Sequence, residues 1–188
     1  MRVISGSARG TVLHAVKSKG TRPMTDRVKT SLFTILEPDL RGAKVVDMFA
    51  GTGSMGIEAL SRGAEFCVFI EQSHSAVGTI MLNLEKTHMG DKAKVLSCEV
   101  SAGITRMVEA SQKAAVVLFD PPFEMGKGVS RDKLKTLVTR IANEILEPGG
   151  LLVYHHEIDT HGNLGAPGLE IVDKRDYGRN VVTIFKRL

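Results

Sequence analysis

The chain has 188 residues, 43% of them hydrophobic and 24% charged, with two cysteines and a formal net charge of +4. That length supports one sizeable core and is short for two full domains. No N-terminal stretch has the basic-then-apolar pattern of an export signal, and no apolar run approaches a membrane span, so the expectation is a soluble, cytoplasmic protein. Cys67 and Cys98 have no C-x-x-C or His-rich neighbourhood, which leaves a disulfide framework or structural zinc unsupported and predicts no metal site.

Charge is unevenly distributed. Residues 1–29 hold Arg2, Arg9, Lys17, Lys19, Arg22, Arg27 and Lys29 against a single acid, Asp26, so the rest of the chain is mildly acidic. A basic arm on an acidic body suits docking on phosphates, although on charge alone a solvated face explains it equally well.

In chain order, RVIS (2–5) and TVLHAV (11–16), separated by GSARG, predict a short hairpin. After the loop KSKGTRPM, Thr25 or Asp26 can cap a helix, DRVKTSLFTIL, with Val28, Leu32, Ile35 and Leu36 on one face and Pro38 as its end. From residue 43 apolar strands alternate with amphipathic helices. The strands are 44–49, 66–71, 93–98, 114–120, 150–157, 169–174 and 181–187, and the intervening helices are SMGIEALSR, SAVGTIMLNLEKTH, SAGITRMVEAS and RDKLKTLVTRIANEIL. Continuous apolar strands with helical crossovers imply a doubly wound, mostly parallel α/β sheet covered on both faces. The last two strands are separated only by the turn RDYGRN and should form an antiparallel hairpin. The expected organisation is a basic arm over 1–24 and one α/β domain over 25–188.

The stretch GTGSMG (51–56) lies between the first strand and its helix, where ligands bind in such folds, and has G-x-G-x-x-G spacing. Gly51 and Gly53, flanking Thr52, permit positive φ and close approach to a ligand, and Gly56 permits tight packing of helix on strand. Glu71, about 20 residues on, ends the second strand and can grip ribose hydroxyls. On spacing alone a dinucleotide and another nucleotide-like ligand both fit. Asp47 separates them: a phosphate charge about 5 Å from this carboxylate is repelled by roughly 3 kcal/mol at an effective dielectric of about 20. A ligand with a cationic centre beside its ribose reverses that sign, and S-adenosylmethionine is such a ligand. Asp47 can equally cap loop amides, and the two roles are compatible. Glu99 can accept from an adenine amino group or favour the positive end of the following helix.

The fourth strand ends in Asp120-Pro121-Pro122-Phe123. Two prolines make a rigid turn at the ligand-binding end of the sheet. The Asp120 carboxylate and the Pro121 carbonyl can accept the two N–H groups of an exocyclic amine, which frees its lone pair, and Phe123 can stack on the base. Asp120 can then take the released proton.

With these residues in place, the chain resembles the class I S-adenosylmethionine-dependent methyltransferases, and within them the bacterial 16S rRNA guanine-N2 methyltransferase family called RsmD. The resemblance rests on MRVISGSARG, GTRPMTDRVKTSLFTIL, VVDMFAGTGSMGIEALSRGA, FIEQ, DPPF and DYGRNVVTIFKR. It implies a seven-stranded Rossmann-like sheet with an N-terminal hairpin, acting on the exocyclic N2 of one guanine in 16S rRNA; free rRNA and a small-subunit assembly intermediate both stay open as the form of substrate, and a monomer is the default expectation. It further implies cofactor contacts at Asp47, Gly51, Thr52, Gly53, Glu71 and Glu99, a base site at Asp120, Pro121, Pro122 and Phe123, and RNA contacts at Arg9, Lys17, Arg22 and Arg27, with organisation of the cofactor entrance as the alternative for Arg22 and Arg27. The chain departs from the family pattern at KTSLF, at Glu99 where Asp is usual, and at HHEI, where a more acidic run is usual. That leaves His155 and His156 as strand-end residues outside the expected chemistry. Competing readings are an adenine-N6 methyltransferase acting on nucleic acid, a non-catalytic RNA-binding or ribosome-assembly factor on the same fold, and, more distantly, an NAD-dependent oxidoreductase.

Overall fold

A computed structural model describes residues 1–16, 25–122, 125, 130–158 and 164–188. Its centre is a seven-stranded sheet formed by β1 (Lys44–Met48), β2 (Phe66–Glu71), β3 (Ala93–Ser97), β4 (Ala114–Phe119), β5 (Leu146–Glu157), β6 (Leu169–Tyr177) and β7 (Asn180–Arg187). The spatial order is β3-β2-β1-β4-β5-β7-β6. The first five strands are mutually parallel, and β7 runs antiparallel to both β5 and β6. Strand order reverses between β1 and β4, so their carboxyl ends flank the crevice where ligands bind in open α/β sheets.

The helices are α1 (Asp26–Leu40), α2 (Ser54–Ser61), α3 (His74–Lys86), α4 (Val100–Glu109) and α5 (Ser130–Arg140). Side chains of α1, α2 and α3 join Val45, Phe69, Val116 and Val153 in one apolar cluster. On the other face, α4, α5 and the π-helical turn Ile141–Ile145 pack on Val46, Met48, Val117 and Leu152. The alternation Val45/Val46 and Val116/Val117 follows from the period-two pleat and makes both faces of the sheet core.

Several predicted boundaries shift. Thr25 is the N-cap of α1, accepting from the Val28 amide at 3.4 Å. Pro38 does not end α1, which runs to Leu40. The proline penalty of about 3 kcal/mol is roughly offset by burying Leu40, worth about 1.5–3 kcal/mol, and only one backbone bond near the helix end is lost. The helix predicted to reach Leu146 stops earlier, and β5 starts there: Ala114 pairs with Leu146 and Val116 with Leu151, so residues between them loop out. The C-terminal hairpin turns tightly, Tyr177 pairing with Asn180 across Gly178 at φ 68°.

The N-terminal segment pairs with itself through one antiparallel bridge, Arg2 with Val12, rather than through two full strands. Several of its intervening amides turn to α2, while those of Arg9, Gly10 and Thr11 bond within the segment. Ile4 and Ser5 donate to the two oxygens of Glu58, at 2.8 and 3.0 Å, and Ala8 donates to Ser61 Oγ. Glu58 is fully buried and also accepts from Lys29 Nζ (3.1 Å) and Arg62 Nε (2.8 Å). One carboxylate thus joins the N-terminal segment, α1 and α2. Burial pulls the Lys29 ammonium below its ordinary pKa, against the opposing pull of Glu58. No helix among the described residues is long and apolar enough to cross a membrane.

Gly56 gives a direct check on the packing of α2 against β2. A Cβ there would lie 2.3 Å from a ring carbon of Phe69 and 2.8 Å from Cys67 Sγ, whereas one at the helical Gly78 would meet nothing within 4 Å. Thermal melts should show Gly56→Ala destabilising by about 1–3 kcal/mol, as overpacking does, and Gly78→Ala neutral or stabilising by up to about 1 kcal/mol through helix propensity.

Candidate active site

Asp47 shares a sheet face with Val45, beneath the start of α2. It is 2% exposed, and its Oδ2 accepts the Gly56 amide at 2.8 Å. Gly53, the N-cap of α2, sits at φ 75° and has no side chain with which to cap. Gly56 is the third residue of the helix, so Asp47 takes the place of a capping side chain from across the loop. Burial holds the Asp47 carboxyl well above the usual carboxylate range. The Gly56 amide pulls the other way, and the negative charges of Asp120 and Glu71 add to the rise.

Glu71 ends β2, and its two oxygens accept the Gly51 and Ser73 amides, each at 2.8 Å. It therefore bolts the first strand's loop to the second's, leaving lone pairs for a ligand hydroxyl. Gly51 is at φ 56°, so this loop turns through two left-handed glycines. The Thr52 carbonyl accepts from Asn83 Nδ2 at 2.9 Å, and Asn83 Oδ1 accepts the His14 amide at 2.7 Å. Asn83 is fully buried, so its side chain couples the N-terminal segment to the glycine loop. Nothing in the sequence pattern singled it out. Glu99 is the exposed N-cap of α4, and its side chain makes no capping bond.

These bonds bear on the ligand's charge. The Gly51 and Gly56 amides, natural partners for a pyrophosphate, are already given to two carboxylates. The helix N-terminus carries its own anion, and the loop is a poor seat for another.

Across the crevice, Asp120 follows the last residue of β4. Its Oδ1 lies 2.7 Å from His155 Nδ1. The contact follows from parallel register: Phe119 pairs with Tyr154, so the next residue of each strand falls side by side. His155, expected as a strand-end residue outside the chemistry, stands near the end of β5 and touches the residue expected to act on the base. Strand-to-strand register is not written in either strand alone. The available signal was a histidine pair at the carboxyl end of an apolar strand. His156 faces the other way, with Nε2 3.0 Å from Thr183 Oγ1 and its ring stacked on Tyr154. Pro121 is buried and Pro122 half-buried, while Phe123 lies outside the described residues. Phe49, between Asp47 and the loop, holds φ 60°, a left-handed conformation rare for a bulky residue, and its ring meets Phe119 edge-on at 5.6 Å.

Of the basic residues singled out for RNA, Arg9 and Arg27 are exposed, and Lys17 and Arg22 lie outside the described residues. Lys29 does not belong to an outward-facing basic surface, being 1% exposed and paired with Glu58. Arg2 lies 3.4 Å from Asp26. The positive charge of the N-terminal region is thus partly spent on its own attachment.

Comparison with known proteins bears on the family and the fold. A family model described as "Conserved hypothetical protein 95" matches residues 1–186. A Bacillus subtilis protein called "Putative rRNA methyltransferase YlbH" is 35% identical over 100% of this chain and 99% of its own. "Ribosomal RNA small subunit methyltransferase D" of Haemophilus influenzae is 31% identical over 85% of this chain and 80% of its own. Among solved structures, "Putative methyltransferase yhhF" from Escherichia coli superposes with a TM-score of 0.84 at 25% identity, covering 100% of this chain and 97% of its own. The protein therefore belongs to the Conserved hypothetical protein 95 family, the RsmD-type methyltransferases.

Proposed function

We propose that the protein transfers a methyl group from S-adenosylmethionine to the exocyclic N2 of one guanine in 16S rRNA. In this reading it works in the cytoplasm, as a monomer, on the small subunit or an assembly intermediate of it. The observation that carries the reading is the pairing of Asp47 and Glu71 with the loop amides, opposite an acidic Asp120 at the next strand end. This site favours a ligand with a positive centre and a ribose, and Asp120-Pro121 suits an amine acceptor. The names of the relatives, which specify small-subunit ribosomal RNA, supply the RNA class.

When bound, S-adenosylmethionine supplies a methyl on a cationic sulfur. Glu71 would accept from its ribose hydroxyls, Asp47 would set a negative potential toward its cationic centre, and Glu99 would accept from its adenine. The Asp120 carboxylate and Pro121 carbonyl accept the N–H groups of the guanine amine and fix its plane, with Phe123 on the base. With the methyl–sulfur bond exchanged for an N–C bond, the nitrogen would shed one proton to Asp120, which would pass it to water. Arg9, Lys17, Arg22 and Arg27 hold RNA phosphates from the arm over residues 1–24 and the start of α1.

Labelled methyl transfer to small subunits lacking the modification, followed by digestion to nucleosides, should yield N2-methylguanosine. N6-methyladenosine in its place would overturn the base assignment. Asp120→Ala should lower kcat by about 10²–10⁴-fold with cofactor affinity within a few-fold, since it removes acid–base and amine-holding contributions only.

A second prediction concerns pH. The folded-state pKa of Asp47 is raised above the unfolded value of about 3.9, so in the interval above that value the native state holds the extra proton. Its contribution to stability is therefore greatest at acidic pH and falls as pH rises through that interval. Asp47→Asn, which keeps an acceptor for Gly56, should flatten this part of the ligand-free stability curve and leave Tm at pH 8 equal or higher, while cofactor affinity falls at least about tenfold. Thermal melts across pH and calorimetric titration with cofactor read the two effects separately.

A further inference from the structure

Resting on the amine-methylation reading, we infer that His155 is a positioning residue that clamps one oxygen of Asp120 and so aims the other at the substrate amine. Asp120 stands just past the end of β4, with its side chain 31% exposed, whereas the His155 side chain is 3% exposed. His155 belongs to an interior strand, beside β4 on one edge and paired with Val182 of β7 on the other. A partly exposed carboxylate is thus tied to a ring held within the sheet.

The Nδ1 to Oδ1 separation of 2.7 Å is at the short end for a charge-assisted hydrogen bond. A carboxylate can only accept, so His155 Nδ1 carries the hydrogen. Oδ1 is committed to His155, and Oδ2 accepts the amine N–H. When the methyl–sulfur bond breaks and the N–C bond forms, sulfur leaves as a neutral thioether and the amine proton moves to Oδ2. Asp120 becomes a neutral acid still held at Oδ1, then yields its proton to water. His155 keeps its own hydrogen throughout and is not the base. The clamp is a means of fixing the acceptor angle, and loss of about 1 Å of positional precision is enough to cost up to about 10²-fold in rate.

Three substitutions test the clamp. Asn places an amide N–H close to where Nδ1 stands, Gln places it farther along at the position of Nε2, and Leu removes it. His155→Leu should lower kcat about 10–100-fold with the KM for cofactor and the RNA affinity within twofold of the parent protein. His155→Asn should return to within about fivefold of the parent, and His155→Gln should not. Near-parental turnover in His155→Leu, equal rates for Asn and Gln, or losses that vanish when rates are referred to the folded fraction would each overturn the clamp. If the Leu variant does not fold, the contrast between Asn and Gln, both polar and of similar bulk, decides alone. Nucleoside analysis of the parent product keeps the two proposals apart. Label in a different nucleoside would overturn the guanine reading, while the ratio of Asn to Gln rates would still judge the clamp.

Discussion

The bond from the Gly56 amide to the buried Asp47 carboxylate is the constraint on which the rest of the site depends. It requires an acid inside an apolar strand, where burial opposes its charge, and it draws the start of α2 down onto the sheet. That proximity leaves no room for a side chain at residue 56 and obliges the connection to turn through left-handed Gly51 and Gly53. The energetic cost of the buried acid is met in part by the amide it accepts. What remains is a negative potential at the mouth of the crevice, which chooses between ligands of similar shape and opposite charge.

A second buried acid organises the other side of α2. Glu58 takes two backbone amides from the N-terminal segment and two cationic side chains, Lys29 and Arg62. Leaving any of these groups unpaired in the interior would be costly, so segment, α1 and α2 are held as a set. Tyr177, at the tip of the C-terminal hairpin, adds a hydrogen bond to Ser31 of α1. The residues that look like an appendage are therefore attached to the helix whose start adjoins the glycine loop, and Asn83 ties them to that loop a second time.

Much of this was legible in the residues. The strand and helix periodicities yielded all seven strands, because burial on both faces of a sheet imposes long apolar runs that survive any detail of packing. Asp47 stood out as an acid inside an apolar run, and Glu71 and Asp120 as acids ending such runs, and a carboxylate in such a place must have a partner or a function. Asn83, Glu58 and Lys29 did not stand out. On a helix, a polar residue looks the same whether it faces water or a buried partner on a distant segment. Pro38 and the start of β5 depart from local propensity for a related reason: the proline argued for a helix break and the run IANEIL for a continued helix, and tertiary burial of Leu40 and Leu146 outweighed each.

The sequence by itself determined the parallel sheet, the glycine loop at the end of its first strand, and the acids that line the crevice. These follow from period, spacing and the cost of burying charge, all of which are local. Only the tertiary structure decided which amides those acids hold, that Lys29 points inward, and that His155 lies against Asp120. Each of these depends on the register or crossing of elements far apart in the chain. A one-residue shift of β5 against β4 would place Tyr154 or His156 there instead, because neighbouring strands bring residues together by alignment alone.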